Sequence, residues 1–266
     1  MRNRFIGSIL AVVALLAFSP VVLAQTAGQS RAAQARTAAP TPDLSGVWSI
    51  PYAQLREGVI PAFGFTPIGG EEPPMQPWAA ELYKTQEGRP QSGGKDELDP
   101  IMYCFPPGIP RAYLSDEHPF EIVQMPGRLY MIFEINRQAR AIYTDGRRHP
   151  EGAPSSFMGH SVGRWEGDTL VVETVGLNDL TWLDGLGHPH TDALRVEERI
   201  RRMDQDTLEI NFLFDDPKAY TKPWTGKKGF KLRPNLEIME QNFCEDRLRE
   251  LYLKKTIPGT NNFHNF

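Results

Sequence analysis

The chain has 266 residues, of which 23% are charged and 40% hydrophobic, and its formal net charge is −4 at pH 7. A mildly acidic chain without a basic stripe is a poor match for nucleic acid or for an anionic lipid surface. We therefore expect no nucleic-acid partner.

The first two dozen residues have the three zones of a secretory signal peptide. Two arginines near the N-terminus precede an apolar run over 6–16, and small residues end the segment at Ala24, a pattern that signal peptidase accepts. We predict a signal peptide over 1–24, cleavage before Gln25, and a periplasmic or secreted mature protein. An uncleaved anchor is the alternative, but the apolar run is short for a membrane span. No other segment is apolar enough to cross a membrane.

Two segments separate this signal from the body of the chain. Residues 25–42 are rich in Ala, Gln, Thr and Pro without apolar periodicity, which predicts a disordered leader. Residues 43–118 form an irregular arm, with a first strand at GVWSI (46–50) and many Pro and Gly after it. One short helix is indicated at PWAAELYKTQ, because Pro77 suits the first helical turn. We expect this arm to wrap the body or to cover one end of it.

Short apolar runs separated by turn residues fill 119–245, the barrel body. The strongest hairpin signal is Glu166-Gly167, since glycine supplies the positive φ that such a turn needs. We also expect KGFKLR to pair with LEIMEQNF across Pro234-Asn235. About ten strands without intervening helices predict an all-β fold, an antiparallel β-barrel or sandwich. The chain is thus a single β-rich domain over 43–266, with 246–266 as a C-terminal tail.

Alternation along the strands predicts which side chains enter the core, because neighbours point to opposite faces. Four ionisable residues fall in register with apolar ones: Glu198 with Leu194, Val196 and Ile200; Glu240 with Leu236 and Ile238; His160 with Met158 and Val162; and Glu134 with Tyr130 and Ile132. An inward carboxylate must be paired, hydrogen-bonded or protonated, because desolvating a bare charge costs several kcal/mol. These residues are therefore structural ion pairs, side chains lifted into solvent at strand ends, or the polar lining of a cavity.

The densest polar cluster lies in the connection GLNDLTWLDGLGHPHTDA at 176–193, which is long for a hairpin loop. It contains six polar or aromatic candidates: Asp179, Trp182, Asp184, His188, His190 and Asp192. One hypothesis is acid–base chemistry, in which Asp184 orients His188 or His190 and Trp182 supplies a stacking wall. A second is a divalent metal at His188 and His190. A third is a structural plug whose histidines bond to backbone carbonyls.

Cys104 and Cys244 are the two cysteines of the chain. An exported protein matures in an oxidising compartment, so we predict a disulfide bond between them. Two separate buried thiols are the alternative.

Several stretches of this sequence resemble a group of exported bacterial proteins of uncharacterised activity. They are PDLSGVW, CFPPGIPR, FEIVQMPGRLYMIFE, YTDGRRHP, GHSVGRWEGDTLVVETVGLNDLTWLDGLGHPHTDALRVEERIRR and DDPKAYTKPW. They cover most of 42–245, and SVGRWEGDTLVVET is the most specific. The resemblance implies one exported domain and no particular reaction. Gly-x-Trp at 46–48 is also similar to the start of a lipocalin-type (calycin) barrel.

Three function classes compete on this evidence. The first is an exported enzyme that performs metal-free acid–base chemistry on a small, partly apolar molecule, as an isomerase, cyclase, lyase or hydrolase. The second is a lipocalin-like carrier or sensor of an apolar ligand, and the third is a structural or partner-binding envelope protein. For the enzyme we predict catalytic roles for His160, Asp184, His188, His190 and Glu198, and ligand binding by Tyr130, Glu134, Trp182 and Glu240. The expected partner is a small-molecule ligand or substrate; the oligomeric state is left open.

Overall fold

A computed structural model describes residues 41–51, 64–67, 71–86, 99–114, 118–152 and 154–240. The chain separates into two units, Met1–Ala38 and Ala39–Phe266, and the described residues all belong to the second. The predicted signal peptide, almost all of the predicted leader, Cys244 and the C-terminal tail lie outside the described residues.

The described part of the chain is mostly β-structure. Its ten strands are β1 Gly46–Ser49, β2 Thr66–Pro67, β3 Phe120–Met125, β4 Arg128–Phe133, β5 Gln138–Tyr143, β6 His160–Glu166, β7 Thr169–Val175, β8 Arg195–Arg202, β9 Thr207–Asp215 and β10 Trp224–Leu232. One α-helix, α1 at Pro77–Gln86, begins at the predicted proline. Short 3₁₀ turns lie at Pro100–Tyr103, Arg111–Leu114 and Ile135–Arg137. No helix in the described ranges is both long and apolar enough to cross a membrane.

Nine of the strands close into a barrel. The order is β1-β3-β4-β5-β6-β7-β8-β9-β10, and pairing of β1 with β10 closes the ring. The short strand β2 adds to β10 beside β1, at Gly226 and Lys227. Closure leaves the barrel strands without a free edge, and it resolves the sequence prediction in favour of a barrel over a sandwich.

One pair of neighbouring strands departs from the antiparallel pattern. β5 and β6 are parallel, with Ile142 opposite Ser161 and Tyr143 opposite Val162. A parallel pair needs a crossover connection of roughly a dozen residues or more, and the segment 144–159 between these strands is long enough to provide it. The predicted hairpin across Glu166-Gly167 is confirmed, with Gly167 at φ +63° between β6 and β7.

The predicted pairing of KGFKLR with LEIMEQNF is wrong for the part of it that the structure describes. β10 continues to Leu232, but residues 236–240 form no strand. β1 occupies the edge of β10 that this segment was expected to take, with Trp48 opposite Leu232. β1 therefore closes the barrel on β10, in the place that we had predicted for the C-terminal segment.

The barrel interior is filled by large side chains. Tyr113, from the 3₁₀ turn Arg111–Leu114, is 1% exposed and lies at the centre of an aromatic cluster. Its ring centroid is 5.2–6.1 Å from those of four phenylalanines: Phe120, Phe133, Phe212 and Phe230. The arm therefore does not merely cover the barrel, because it also inserts a side chain into the core.

Candidate active site

A buried ion pair crosses the barrel interior. Arg140 on β5 and Glu198 on β8 are 2% and 0% exposed, and both guanidinium nitrogens Nη1 and Nη2 donate to the carboxylate. Tyr113 donates its hydroxyl to Glu198 Oε1 at 2.7 Å. Arg140 also donates to Ser161 Oγ at 2.9 Å and to Thr174 Oγ1 at 2.6 Å. The predicted inward orientation of Glu198 is confirmed, and its partner is an arginine.

This interior network favours the neutral form of Tyr113 and the charged form of Arg140. Burial raises the pKa of the Tyr113 hydroxyl well above its usual value, and the neighbouring Glu198 carboxylate raises it further. Attraction to Glu198 keeps the pKa of Arg140 above its usual value although burial opposes it. A neutral tyrosine and a charged arginine are the partners that an ionised carboxylate requires, so the network is electrostatically complete.

A second group of buried ionisable side chains lies in the loop between β7 and β8. Asp184 Oδ1 accepts the backbone N–H groups of Leu186 and His188 at 3.0 and 3.2 Å. Asp184 Oδ2 lies 2.7 Å from His188 Nδ1. Asp184 and His188 are 1% and 4% exposed. The aspartate–histidine contact predicted from the sequence is therefore present, and the backbone fixes the carboxylate that makes it.

Aromatic side chains from other elements surround His188. The Tyr83 ring of α1 stacks on the imidazole, with centroids 4.3 Å apart and planes 8° from parallel. The Trp224 ring of β10 lies 6.3 Å from it, and Tyr220 donates its hydroxyl to the carbonyl of Pro189 at 2.8 Å. The helix, the loop and the last strand thus meet at His188.

A buried amine lies in the same neighbourhood. Lys228, on the inward face of β10, is 2% exposed and donates to the Gly64 carbonyl at 3.1 Å. Gly64 itself packs beside Leu186 and the Asp184 carboxylate, since a Cβ built on it would lie 3.6 Å from Asp184 Oδ2. Lys228 and the aspartate–histidine pair therefore both pack against Gly64.

His190 and Trp182 occupy structural positions in the same loop. Burial lowers the pKa of His190 below its usual value, and its Nδ1 lies 3.2 Å from the Thr191 carbonyl. Within the described ranges, His190 Nε2 has no hydrogen-bond partner. Trp182 is 4% exposed, and the Arg111 guanidinium lies 5.4 Å from its ring centroid. Trp182, which we predicted to bind a ligand, therefore packs against the arm.

The predicted inward orientations of His160 and Tyr130 are wrong. On β6 the inward residue is Ser161, which bonds to Arg140, so His160 lies on the outer face, where its ring stacks on Tyr143 at 5.4 Å. The inward residue next to His160 is the polar Ser161, which bonds to Arg140, so polarity does not distinguish the inner face of β6 here. On β4, Leu129, Met131 and Phe133 are buried while Tyr130 is only half-buried. Both faces of that strand are apolar, so alternation could not distinguish them.

Glu134 and Glu240 lie beyond the ends of the strands. Glu134 follows β4 and is 8% exposed, and it accepts the Met239 N–H at 2.8 Å while its other oxygen lies 3.2 Å from His118 Nδ1. The Glu240 side chain is 65% exposed and pairs with Arg137 at 3.0 Å. The predicted inward orientation of Glu240 is wrong, because the strand that would have set its register is absent from 236–240.

Sequence reasoning missed four residues that the structure brings into these two groups: Tyr83, Tyr113, Arg140 and Lys228. For two of them, alternation along a strand indicates an inward side chain. Arg140 shares the register of Ile142 on β5, and Lys228 shares that of Trp224 and Phe230 on β10. Tyr83 and Tyr113 lie in the arm, where no strand alternation applies. Their positions follow from tertiary packing alone.

No protein-family model, curated protein or solved structure matches the chain. The resemblance noted from sequence motifs therefore stays a prediction, and the function is argued from the site itself.

Proposed function

We propose that this protein is an exported enzyme that performs acid–base chemistry on a small, partly apolar molecule, with His188 as the base and Asp184 as the residue that orients it. The contact of 2.7 Å between Asp184 Oδ2 and His188 Nδ1 carries this proposal. It joins a carboxylate and an imidazole in a buried loop whose backbone fixes the carboxylate.

The proton positions in the pair follow from the chemistry of the two groups. An ionised carboxylate only accepts hydrogen bonds, so the neutral imidazole donates its proton from Nδ1 to Asp184. The lone pair of the ring then lies on Nε2. Asp184 also stabilises the imidazolium that forms when Nε2 takes a proton from a substrate. This is the arrangement of a general base with a fixed tautomer.

The surroundings of the pair indicate the substrate class. Tyr83 and Trp224 provide aromatic surface next to the imidazole, which suits a flat or apolar substrate. The Lys228 amine donates to the Gly64 carbonyl beside this pair, and a protonated amine there would stabilise the negative charge that develops when a proton is removed. An apolar carbon acid therefore fits this environment better than a polyanion.

The other residues predicted to be catalytic take different roles in this proposal. Glu198 stays in its ion pair with Arg140 inside the filled barrel, and His160 lies on the outer face. The aromatic cluster around Tyr113 occupies the lumen that a lipocalin-like carrier would need. We therefore favour the enzyme over the carrier, and we assign the proton transfer to His188 alone, without a metal.

The test uses 5-nitrobenzisoxazole, a small aromatic probe of proton abstraction. A base removes the proton from its carbon 3, the N–O bond breaks, and a coloured cyanophenolate forms. We expect His188→Gln to lower the protein-dependent rate about 100-fold, within the usual range for general base catalysis. EDTA should leave the wild-type rate unchanged.

His118→Gln is the matched control for this experiment. His118 also lies beside a carboxylate, Glu134, at 3.2 Å, but far along the chain from the loop. It should retain the wild-type rate. Equal rates for wild type and His188→Gln, with both variants folded by circular dichroism, would refute the proposal.

Export and the disulfide bond form a separate part of the proposal. We infer that the mature chain begins near Gln25 and that Cys104 pairs with Cys244 in the periplasm or outside the cell. Mass spectrometry of exported protein should find the N-terminus at Gln25, and an intact Met1 would contradict it. Thiol titration of unfolded, non-reduced protein should find no free thiol, whereas two free thiols would disprove the bond.

A further inference from the structure

Two histidines and a glutamate form a chain of contacts on the outer face of the barrel, on residues that the proposed reaction does not use. His149, in the connection between β5 and β6, lies with its Nδ1 2.9 Å from Nδ1 of His160. Its other nitrogen, Nε2, lies 3.1 Å from Oε1 of Glu173 on β7. The His149 and Glu173 side chains are 19% and 39% exposed, so solvent reaches the group.

The protons of this chain can be placed from the chemistry of its last member. Glu173 only accepts, so His149 donates from Nε2 and has its lone pair on Nδ1. His160 Nδ1 is then the donor in the contact between the two rings. The proton on His160 Nδ1 can move through solvent to Nε2 of the same ring. The Nδ1 lone pairs of both rings then face each other, and the protein releases no proton.

Two facing imidazole nitrogens at this separation are close to the geometry of a metal site. Zn–N bonds of about 2.05 Å at the tetrahedral angle place two ligand nitrogens about 3.3 Å apart. An opening of about 0.4 Å from the observed contact would therefore admit the ion. Metal-bound histidines commonly donate their second ring N–H to a carboxylate, which orients the ring and raises its basicity. Glu173 already makes that contact with His149.

We propose that His149 and His160 form a transition-metal site, in which both Nδ1 atoms bind the ion and Glu173 orients His149. Imidazole nitrogens favour Zn²⁺, Cu²⁺ and Ni²⁺ over Mg²⁺ or Ca²⁺. Within the described residues no group of three or more His, Cys, Asp or Glu is placed to hold a metal. Water or an external ligand therefore completes the coordination, and the site is an open one rather than a closed structural one.

The neighbouring charges leave room for the charge of the ion. Arg195 pairs with the second oxygen of Glu173 at 2.8 Å, and Arg147 pairs with Asp145 at 2.5 Å. Each of these two arginines is thus matched by a carboxylate. The Tyr143 ring stacks against His160 and fixes the orientation of that imidazole. Because β6 and β7 hold His160 and Glu173, only His149 has to shift for the ion to enter.

Isothermal titration of the full mature chain with Zn²⁺ alone tests this site. We expect binding of one ion, which His149→Gln or His160→Gln abolishes or weakens at least tenfold. Glu173→Gln should weaken it by about 10-fold, at the lower end of the effect typical for outer-shell partners. His118→Gln should bind as wild type does, because His118 is a histidine paired with a carboxylate elsewhere.

Two further measurements test the proposal even if one of these variants folds poorly. In wild-type protein, Zn²⁺ should shift the NMR signals of the His149 and His160 rings together and leave that of His118 in place. His188→Gln should keep the affinity, because the metal alternative at His188 and His190 concerns another loop. Wild-type affinity in His160→Gln, loss of binding in His188→Gln, or no Zn²⁺ binding at all would overturn the proposal.

Discussion

Two regions of the molecule bury ionisable side chains, and they satisfy them in different ways. In the barrel interior, Glu198 on β8 receives hydrogen bonds from Arg140 on β5 and from Tyr113 on the 3₁₀ turn Arg111–Leu114. In the loop between β7 and β8, Asp184 receives two backbone N–H groups and contacts a titratable imidazole, His188. The first carboxylate is balanced by a permanent charge, whereas the second contacts an imidazole, a group that serves in acid–base chemistry.

This difference separates a structural role from a chemical one. A guanidinium does not deprotonate in a protein, so Arg140 is a permanent charge beside Glu198. An imidazole is the side chain that ordinarily titrates nearest to neutral pH, and Asp184 contacts one in His188. Substitutions in the interior should therefore act on stability, and substitutions in the loop should act mainly on turnover.

The largest stability effect is expected for Arg140→Met. It leaves Glu198 buried without a compensating charge, which typically costs about 3–5 kcal/mol of unfolding free energy. Urea unfolding followed by circular dichroism measures it. The double variant Arg140→Met/Glu198→Leu removes both charges and should recover most of the loss. A loss below about 1 kcal/mol in the single variant would mean that the pair does not hold its charges inside the barrel.

A smaller effect is expected for Tyr113→Phe. The ring stays in its aromatic cluster, but Glu198 and Arg140 lose a hydroxyl partner at 2.7 and 2.8 Å. Loss of one hydrogen bond to a charged group corresponds to about 1.5–3 kcal/mol. Tyr220→Phe is the matched control, since it removes a hydroxyl from a neutral carbonyl and should cost about 1 kcal/mol. The account fails here if Tyr220→Phe proves the more damaging of the two.

Asp184→Asn should lower turnover more than stability, unlike the substitutions in the barrel interior. The amide oxygen of asparagine still accepts the two backbone N–H groups, so we expect a loss of only about 1 kcal/mol. Its NH₂ group cannot accept the His188 proton, however, and the imidazole turns to the wrong tautomer. Turnover of 5-nitrobenzisoxazole should fall at least tenfold. An unchanged rate together with a large loss of stability would assign Asp184 to the structural class.

The smallest effect concerns the pH dependence that His190 contributes. Burial lowers its pKa below the usual value of 6.5, so the unfolded chain takes up a proton before the folded protein does. The stability that His190 contributes is therefore present above about pH 6.5 and is lost as the pH falls below it. His190→Gln should flatten the decline of unfolding free energy between pH 7 and pH 5. If the unfolding free energy declines equally steeply in the variant, groups other than His190 cause the decline.

Local sequence patterns predicted the fold class, α1, the Glu166-Gly167 hairpin and the inward position of Glu198. These features depend on turn chemistry, helix initiation and alternation along one strand. The parallel pairing of β5 with β6 and the closure by β1 could not be predicted in this way, because both depend on contacts between distant segments. His160 was misassigned for a related reason, since the polar Ser161 faces inward to bond to Arg140 on another strand.

The candidate site likewise combines contacts that the local sequence predicts with contacts that depend on distant segments. Asp184 and His188 lie four residues apart in one loop, so their contact could be predicted from the sequence. Tyr83 and Lys228 reach the site from the arm and from the last strand. Alternation along β10 indicates that Lys228 points inward, but neither segment's pattern indicates that its side chain lies near Asp184 and His188.

The measurement that tests the central claim most directly is the tautomer of His188, read from long-range ¹H–¹⁵N NMR correlations at neutral pH. We expect a protonated Nδ1, bonded to Asp184, and an unprotonated Nε2 with the ¹⁵N shift of a lone-pair nitrogen. Asp184→Asn should exchange these two signatures, whereas Arg140→Met/Glu198→Leu should leave them in place. A proton on Nε2 of the wild-type ring at neutral pH would contradict the assignment of His188 as the base.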